Sequence, residues 1–244
     1  MNRILFEPDE IRDGCVTFGG VRAEHVLKVL HGEVGQVLKT GEINGLVGTS
    51  VITSITPAPT VTVACSHTER PIAPWVDLIL APPRPRVMKR LLPQLATLGV
   101  GRIFLVGAKK VEKDFWGATL LKEENYRPLL VDGLMQAGTS SLPTLETRRN
   151  FRKFVNDELD ALFPASARIV AHPYGGNPDR LCEAQGTRHK ALLLAVGPEG
   201  GWTDEEVALL ETHGFLRYSL GSRILRTDTA TIALLAQLMQ RFDR

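Results

Sequence analysis

Two glycine-bearing segments near the end of the chain carry the residue types that chemistry needs. Residues 196–206 read VGPEGGWTDEE and residues 220–230 read LGSRILRTDTA. Pro198 stiffens the exit from a strand, while Gly200 and Gly201 let backbone approach a ligand closely. Glu199 brings a carboxylate that can accept a proton or pin a loop through backbone N–H groups. Arg223 and Arg226 bring fixed positive charge, suited to a phosphate or a developing enolate. Between them, Ile224 and Leu225 offer apolar surface for a flat heterocycle. Neither segment is a Walker A loop, which needs Gly-Lys-Ser/Thr, and neither is GxGxxG. Asp204, Glu205 and Glu206 suit the dipole of the helix that follows but would repel a phosphate there. Nucleoside triphosphate binding is therefore disfavoured, and a small ligand with a neutral or cationic contact surface fits better. GPEGG alone is compatible with a plain strand-to-helix turn; the arginine-bearing second loop is what argues for a site.

The elements that must position these loops are legible. Apolar runs at residues 191–196 and 215–220 read as buried strands, each ending in a glycine loop where α/β sheets bind ligands. Thr203 starts a helix, and Glu206 three residues later completes a capping box. Thr227 or Asp228 caps the final helix, whose Thr231, Leu234, Leu235, Leu238 and Met239 run toward the chain end. Its apolar positions lie on more than one face, which predicts burial against a second copy of the chain.

The chain changes grammar near residues 68–75. Before that come β-branched runs at 35–40, 45–52 and 60–64, separated by turns, as in a small barrel. A short helix at 22–30 directs Val26, Val29 and Leu30 inward, and residues 67–74, with charge and two prolines, read as a linker. Afterwards strands and helices alternate: a strand at 76–81, a helix at 85–99 with Met88, Leu91, Leu92, Leu95 and Leu98 on one stripe, and a strand at 103–106. A helix at 123–137 contains Pro128, a strand follows at 167–171 and a short helix at 178–184. This alternation predicts a mostly parallel sheet covered by helices, an α/β architecture.

Composition narrows the function classes. In 244 residues, 43% are hydrophobic and 23% charged, as in ordinary globular domains. No apolar stretch spans a bilayer and the start lacks a signal-peptide layout, so a membrane role is not expected. Cys15, Cys65 and Cys182 lie far apart without CxxC spacing, and the histidines show no ligand spacing. Neither a disulfide framework nor a metal site is expected, and a reducing cytoplasm is the natural location. The net charge of +2 comes from 29 basic and 27 acidic residues, too balanced to argue nucleic-acid binding from the total. Local clusters are more suggestive: Arg84, Arg86, Lys89 and Arg90; Lys109, Lys110 and Lys113; Arg148, Arg149, Arg152 and Lys153. Each can face phosphates or simply be a solvated helix face.

GPEGGWTDEE followed by LGSRILRTDTA resembles the paired signature of the ribosomal small-subunit uridine-N3 methyltransferases (RsmE) of the SPOUT group. His25-Val26-Leu27-Lys28-Val29-Leu30 is similar to a helix in that family's PUA-like RNA-binding domain. The resemblance implies a PUA-like β-barrel at residues 1–70 and a knotted SPOUT domain at 71–244. It implies S-adenosylmethionine (SAM) as cofactor, held in the knot without metal. Gly197, Glu199, Gly200 and Gly201 would hold it from the first loop. Leu220, Gly221, Ser222, Ile224, Leu225 and Ala230 would do so from the second, with Ala171 and His172 closing the pocket. It further implies a homodimer acting on 16S rRNA in the small ribosomal subunit.

The central segment departs from that pattern at Gln94, Thr97, Met135 and Thr139, positions that would face RNA or a partner subunit, so the target nucleotide is less closely specified than the cofactor. Methylation of uridine N3 requires stabilising negative charge on O2 and O4; Arg226 is the expected stabiliser, and Glu199 either accepts the N3 proton or pins a loop. Ribose 2′-O methylation and a non-catalytic RNA-binding role remain the alternatives.

Overall fold

A computed structural model describes residues 2–176 and 191–242 of the chain. Two compact units emerge, one formed by Met1–Ala73 with Val131–Leu142, the other by Pro74–Leu130 with Pro143–Arg244. The helix expected at 178–184 and Cys182 lie outside the described residues.

The first unit is built on a curled five-stranded sheet: β1 (Ile4–Phe6), β2 (Cys15–Phe18), β3 (Val37–Glu42), β4 (Val47–Ile55) and β5 (Val61–Glu69), in the order β1-β3-β4-β5-β2. Only β1 and β3 run parallel. Period-two alternation along these strands turns Leu38, Ile52, Val61 and Val63 inward, where they meet Phe6 and Phe18, whose rings lie 5.4 Å apart. The Arg22 guanidinium lies over both rings, at 5.7 and 5.6 Å, and pairs with Glu10. That hydrogen bond holds the Glu10 carboxyl below the usual carboxylate range, against the opposing effect of burial.

Two expectations for this unit need correction. Residues 67–69 are not linker but the end of β5, paired with β4, because His67 has a buried partner: its Nε2 lies 2.8 Å from the Thr40 hydroxyl. The helix near residue 22 is a short α-helix, α1 (Gly20–Glu24), continuing into a π turn at His25–Val29 closed by Leu30 N–H to the His25 carbonyl, 3.1 Å. The wider turn rotates the later side chains. Val26 stays buried, but Val29 and Leu30 face outward, 60% and 37% exposed.

The second unit carries a six-stranded, wholly parallel sheet: β6 (Val76–Leu80), β7 (Val100–Val106), β8 (Thr144–Arg148), β9 (Ala167–Ala171), β10 (Leu192–Val196) and β11 (Leu216–Tyr218), ordered β11-β9-β10-β6-β7-β8. Among the described residues its α-helices are α2 (Pro85–Thr97), α4 (Phe151–Asp157), α5 (Leu159–Leu162), α6 (Asp204–Thr212) and α7 (Thr227–Phe242). α3 (Glu123–Ala137) crosses the division, with its residues to Leu130 in this unit. The central strands β6 and β10 are buried at every position, which is why they read as continuous apolar runs. Phe104 stacks on Phe154 at 5.5 Å and meets Phe163 edge-on at 5.4 Å, filling one face of the sheet. Fully burying side chains of this size contributes roughly 1.5–3 kcal/mol each.

In α2 the stripe Met88, Leu91, Leu92 and Leu95 is buried as expected, whereas Leu98 is the C-cap and only half-buried. In α7, Thr231, Leu234, Leu235 and Leu238 are all buried within the chain itself, and Met239 is half-buried. The two-faced apolar pattern thus arises because α7 contacts both α2 and β10, and it does not by itself call for a second copy. Among the described residues, no helix is long and apolar enough to cross a membrane.

Candidate functional site

All strands of the second unit run the same way, so their carboxyl ends share one edge, the edge where open α/β sheets place ligands. Three loops leave that edge from β9, β10 and β11 and enclose a cavity of about 500 Å³. This volume lies in the range of small-molecule sites, roughly 300–1,000 Å³.

The β10 loop is shaped by local chemistry. The Gly201 N–H donates to the Pro198 carbonyl at 2.8 Å, closing a turn. Gly197 is buried, and a Cβ there would stand 3.0 Å from the Trp202 backbone nitrogen and 3.1 Å from its ring. A side chain at this position would press on the Trp202 backbone and indole, which would have to shift to admit it. The turn ends in the expected capping box: the Glu206 N–H donates to the Thr203 hydroxyl at 3.3 Å, and the Thr203 N–H to the Glu206 carboxylate at 2.8 Å. Glu206 also accepts the Lys109 N–H at 2.7 Å, joining the loop after β7 to the β10 loop. Glu206→Ala is expected to cost about 1–2 kcal/mol, the range of a lost helix cap, read as a lower urea midpoint. Glu206→Gln, which keeps one acceptor oxygen, should recover part of it.

Neighbouring side chains anchor the same loop. The Lys110 ammonium donates to the Gly200 carbonyl at 2.8 Å, and the Glu199 carboxylate accepts the Arg84 N–H at 3.2 Å, at the start of α2. Thr227, expected as a cap, is the first residue of α7; its buried hydroxyl donates to the Gly197 carbonyl at 3.3 Å. Asp228 accepts the Thr229 N–H at 2.9 Å and faces Arg90 at 3.7 Å.

The β11 loop completes the enclosure. The Ser219 hydroxyl lies 3.1 Å from the Pro173 carbonyl and accepts the Gly221 N–H at 3.2 Å, tying the β9 and β11 loops together. Gly221 has φ +118°, a conformation that side-chain-bearing residues rarely adopt. On the β9 side, His172 Nδ1 is 2.5 Å from the Tyr174 carbonyl, and the His172 N–H donates to the Tyr218 carbonyl at 3.0 Å. Glu211 grips Arg217 at 2.6 and 2.9 Å, fixing β11 to α6; this bonding lowers the Glu211 carboxyl and raises the Arg217 guanidinium.

Of the site residues expected from sequence, Ala171, His172, Gly197, Glu199, Gly200, Gly201, Leu220, Gly221, Ile224, Leu225 and Ala230 line the cavity. Ser222 and Arg226 do not; both are exposed beside it, whereas Arg223 is on the wall. Neither Arg223 nor Arg226 makes an ion pair among the described residues. Sequence reading missed Trp202, Tyr218 and Asp204 as lining residues and Lys110 as an anchor. The acidic run at 204–206 is legible in sequence as a helix start that would repel a phosphate; that Asp204 itself lines the cavity depends on loops from other strands. Ile224 is 74% and Leu225 37% exposed, leaving apolar surface at the cavity mouth.

Residues 69–239 match the family of RNA methyltransferase domains. The chain is 30% identical over 243 residues to the ribosomal RNA small subunit methyltransferase E of Treponema pallidum, covering 98% of this chain and 91% of that one. Among solved structures it is similar to a Legionella pneumophila protein in complex with bound SAM, with 26% identity, TM-score 0.76, and 98% and 97% of the two chains covered. A ribosomal RNA small subunit methyltransferase E from Neisseria gonorrhoeae, bound to S-adenosylmethionine, shares the fold with TM-score 0.73 at 22% identity, covering 98% and 97%.

Proposed function

The chain belongs to the RNA methyltransferase family, with the ribosomal RNA small subunit methyltransferases E, and we propose on that footing that it methylates N3 of a uridine in 16S rRNA. It is a SAM-dependent rRNA methyltransferase of mixed α/β fold, with a β-rich N-terminal part. The observation that carries the finer reading is the three-loop cavity, which brings both signature segments to one wall.

The residues present fit the cofactor. A cavity of about 500 Å³ offers apolar Ile224 and Leu225 to a flat ring and backbone carbonyls and N–H groups of the glycine loops to its polar edge. The Asp204 carboxylate on the wall suits a cationic sulfonium, and none of this needs a metal. When bound, SAM supplies an electrophilic methyl group. The protein's share is to hold the uracil with N3 aligned and to stabilise the charge that N3 deprotonation spreads onto O2 and O4. Arg226, free among the described residues beside the cavity, is assigned that charge. Glu199, already holding the Arg84 N–H, is assigned to loop positioning with proton acceptance as its alternative.

The reading assigns RNA recognition to residues 1–70 and methyl transfer to 71–244, in the cytoplasm. It also takes the protein as a homodimer. Exposed Ile224 and Tyr174 at the cavity mouth support a covering partner, and light scattering at the mass of a single chain would refute it. The central test is transfer of labelled methyl to small subunits from a strain lacking the enzyme, followed by nucleoside analysis. Label in 3-methyluridine is expected; label in a 2′-O-methyl nucleoside would refute the N3 assignment, and no transfer with intact SAM binding would favour a non-catalytic RNA-binding role.

A further inference from the structure

A second cavity, of about 320 Å³, opens on the same sheet edge at the carboxyl ends of β7 and β8. Its wall includes Lys109, Arg149, Asn150 and Arg152, with Glu205 and Glu206 opposite. The charge balance favours an anion more than the sequence suggests. Glu206 is already committed to the N–H groups of Thr203 and Lys109, and Glu205 is only loosely placed, 3.8 Å from Arg152 and 73% exposed. Lys109 and Arg149 are exposed, and among the described residues neither the Lys109 ammonium nor the Arg149 guanidinium forms an ion pair with a carboxylate.

Arg149 is also held in place. Its guanidinium lies over the Trp116 ring at 5.8 Å and donates to the Trp116 carbonyl at 3.3 Å, while Trp116 packs edge-on against Phe115 at 5.5 Å. A guanidinium stacked on an indole keeps the rest of its donor edge outward, in the fork that matches two phosphate oxygens. Other arginines of the basic clusters are differently engaged: Arg148, next to Arg149 in sequence, is consumed by Glu146 and Glu158 at 2.9 and 2.7 Å, and Arg84 by Glu112 at 2.9 Å.

The two cavities are coupled through short chain segments. Lys109 borders the second cavity while the adjacent Lys110 holds the Gly200 carbonyl on the wall of the first. Trp202 and Asp204 line the first, Thr203 and Glu205 the second. With β6 between β10 and β7, and strands roughly 4.8 Å apart, the two openings lie on the order of 10–15 Å from each other along the sheet edge. We infer that this second cavity is an RNA phosphate subsite, gripping a backbone phosphate near the target nucleotide through Lys109 and Arg149 while the target base enters the first cavity. Resting on the RNA-methylation reading above, it adds a positioning device to it: phosphate contacts fix the register of a strand without reading its sequence.

The test is steady-state methyl transfer to unmodified small subunits at several salt concentrations, with SAM affinity measured separately by calorimetry. Lys109→Ala with Arg149→Ala should raise the KM for subunits about tenfold, leave kcat and SAM affinity unchanged, and flatten the salt dependence by roughly one to two phosphate contacts. Glu205→Gln should lower that KM about two- to threefold, since a repelling carboxylate is removed. A salt slope and KM equal to wild type would overturn the subsite, as would weakened SAM binding or a fall confined to kcat. Failure of the wild-type protein to methylate subunits at all would instead overturn the parent reading.

Discussion

Alanine in place of Arg226 is expected to slow methyl transfer to small subunits by about a hundredfold or more while SAM affinity stays near wild type. Losing one preorganised contact to a developing oxyanion costs about 3–4 kcal/mol, and about 3 kcal/mol corresponds to slightly more than a hundredfold in rate. Uridine N3 is a poor nucleophile while it carries its proton, so the charge appearing on the carbonyl oxygens as the proton leaves is the main electrostatic demand on the protein. Arg226 sits between Leu225 and Thr227, both on the cavity wall, yet its own side chain is exposed beside the cavity. That position suits a contact with the incoming base more than with the cofactor. Arg223, which does line the cavity, is the comparison. Arg223→Ala should act first on cofactor affinity. A silent Arg226→Ala with Arg223→Ala defective in kcat would transfer the role to Arg223.

The two arginines show how far sequence carries and where it stops. Both loops, their strands and the Thr203–Glu206 capping box were legible because each is a local pattern: a buried run, a glycine, and a hydroxyl three residues ahead of a carboxylate. Which arginine reaches the cavity is decided by the loop's path in space, and Ser222, inside the signature, is not among the residues lining the wall. The short strands β1 and β8 escaped notice for related reasons. Ile4–Phe6 has only three residues, and Thr144–Arg148, an edge strand with no fully buried position, shows no apolar run. The inward turn of Val29 and Leu30 failed because a π turn alters the period on which the expectation rests. Basic clusters were equally ambiguous. Arg148 and Arg149 are adjacent, yet one is locked between two glutamates and the other lies stacked on Trp116.

Gly221→Val is expected to weaken SAM binding about a hundredfold or more while leaving the fold in place. The cause is conformational: a Cβ at Gly221 would meet nothing within 4 Å, so no clash with the protein arises. The backbone there has φ +118°, which a β-branched residue can hold only at a cost of order 1–3 kcal/mol or more. An exposed loop relieves such strain by changing its path. That shift would break the Gly221 N–H bond to Ser219, and with it the link to the Pro173 carbonyl that ties two walls of the cavity. Leu220 and Ile224 would then leave the wall together, and about 3 kcal/mol of lost binding is a hundredfold in Kd. Gly214→Val is the control, because Gly214 has φ +80° with equally open surroundings but lies at the far end of α6, off the cavity wall. It should carry the same kind of strain without changing SAM affinity. Calorimetry giving wild-type affinity for Gly221→Val would remove the second loop from the cofactor site; equal losses in both variants would trace the effect to general destabilisation.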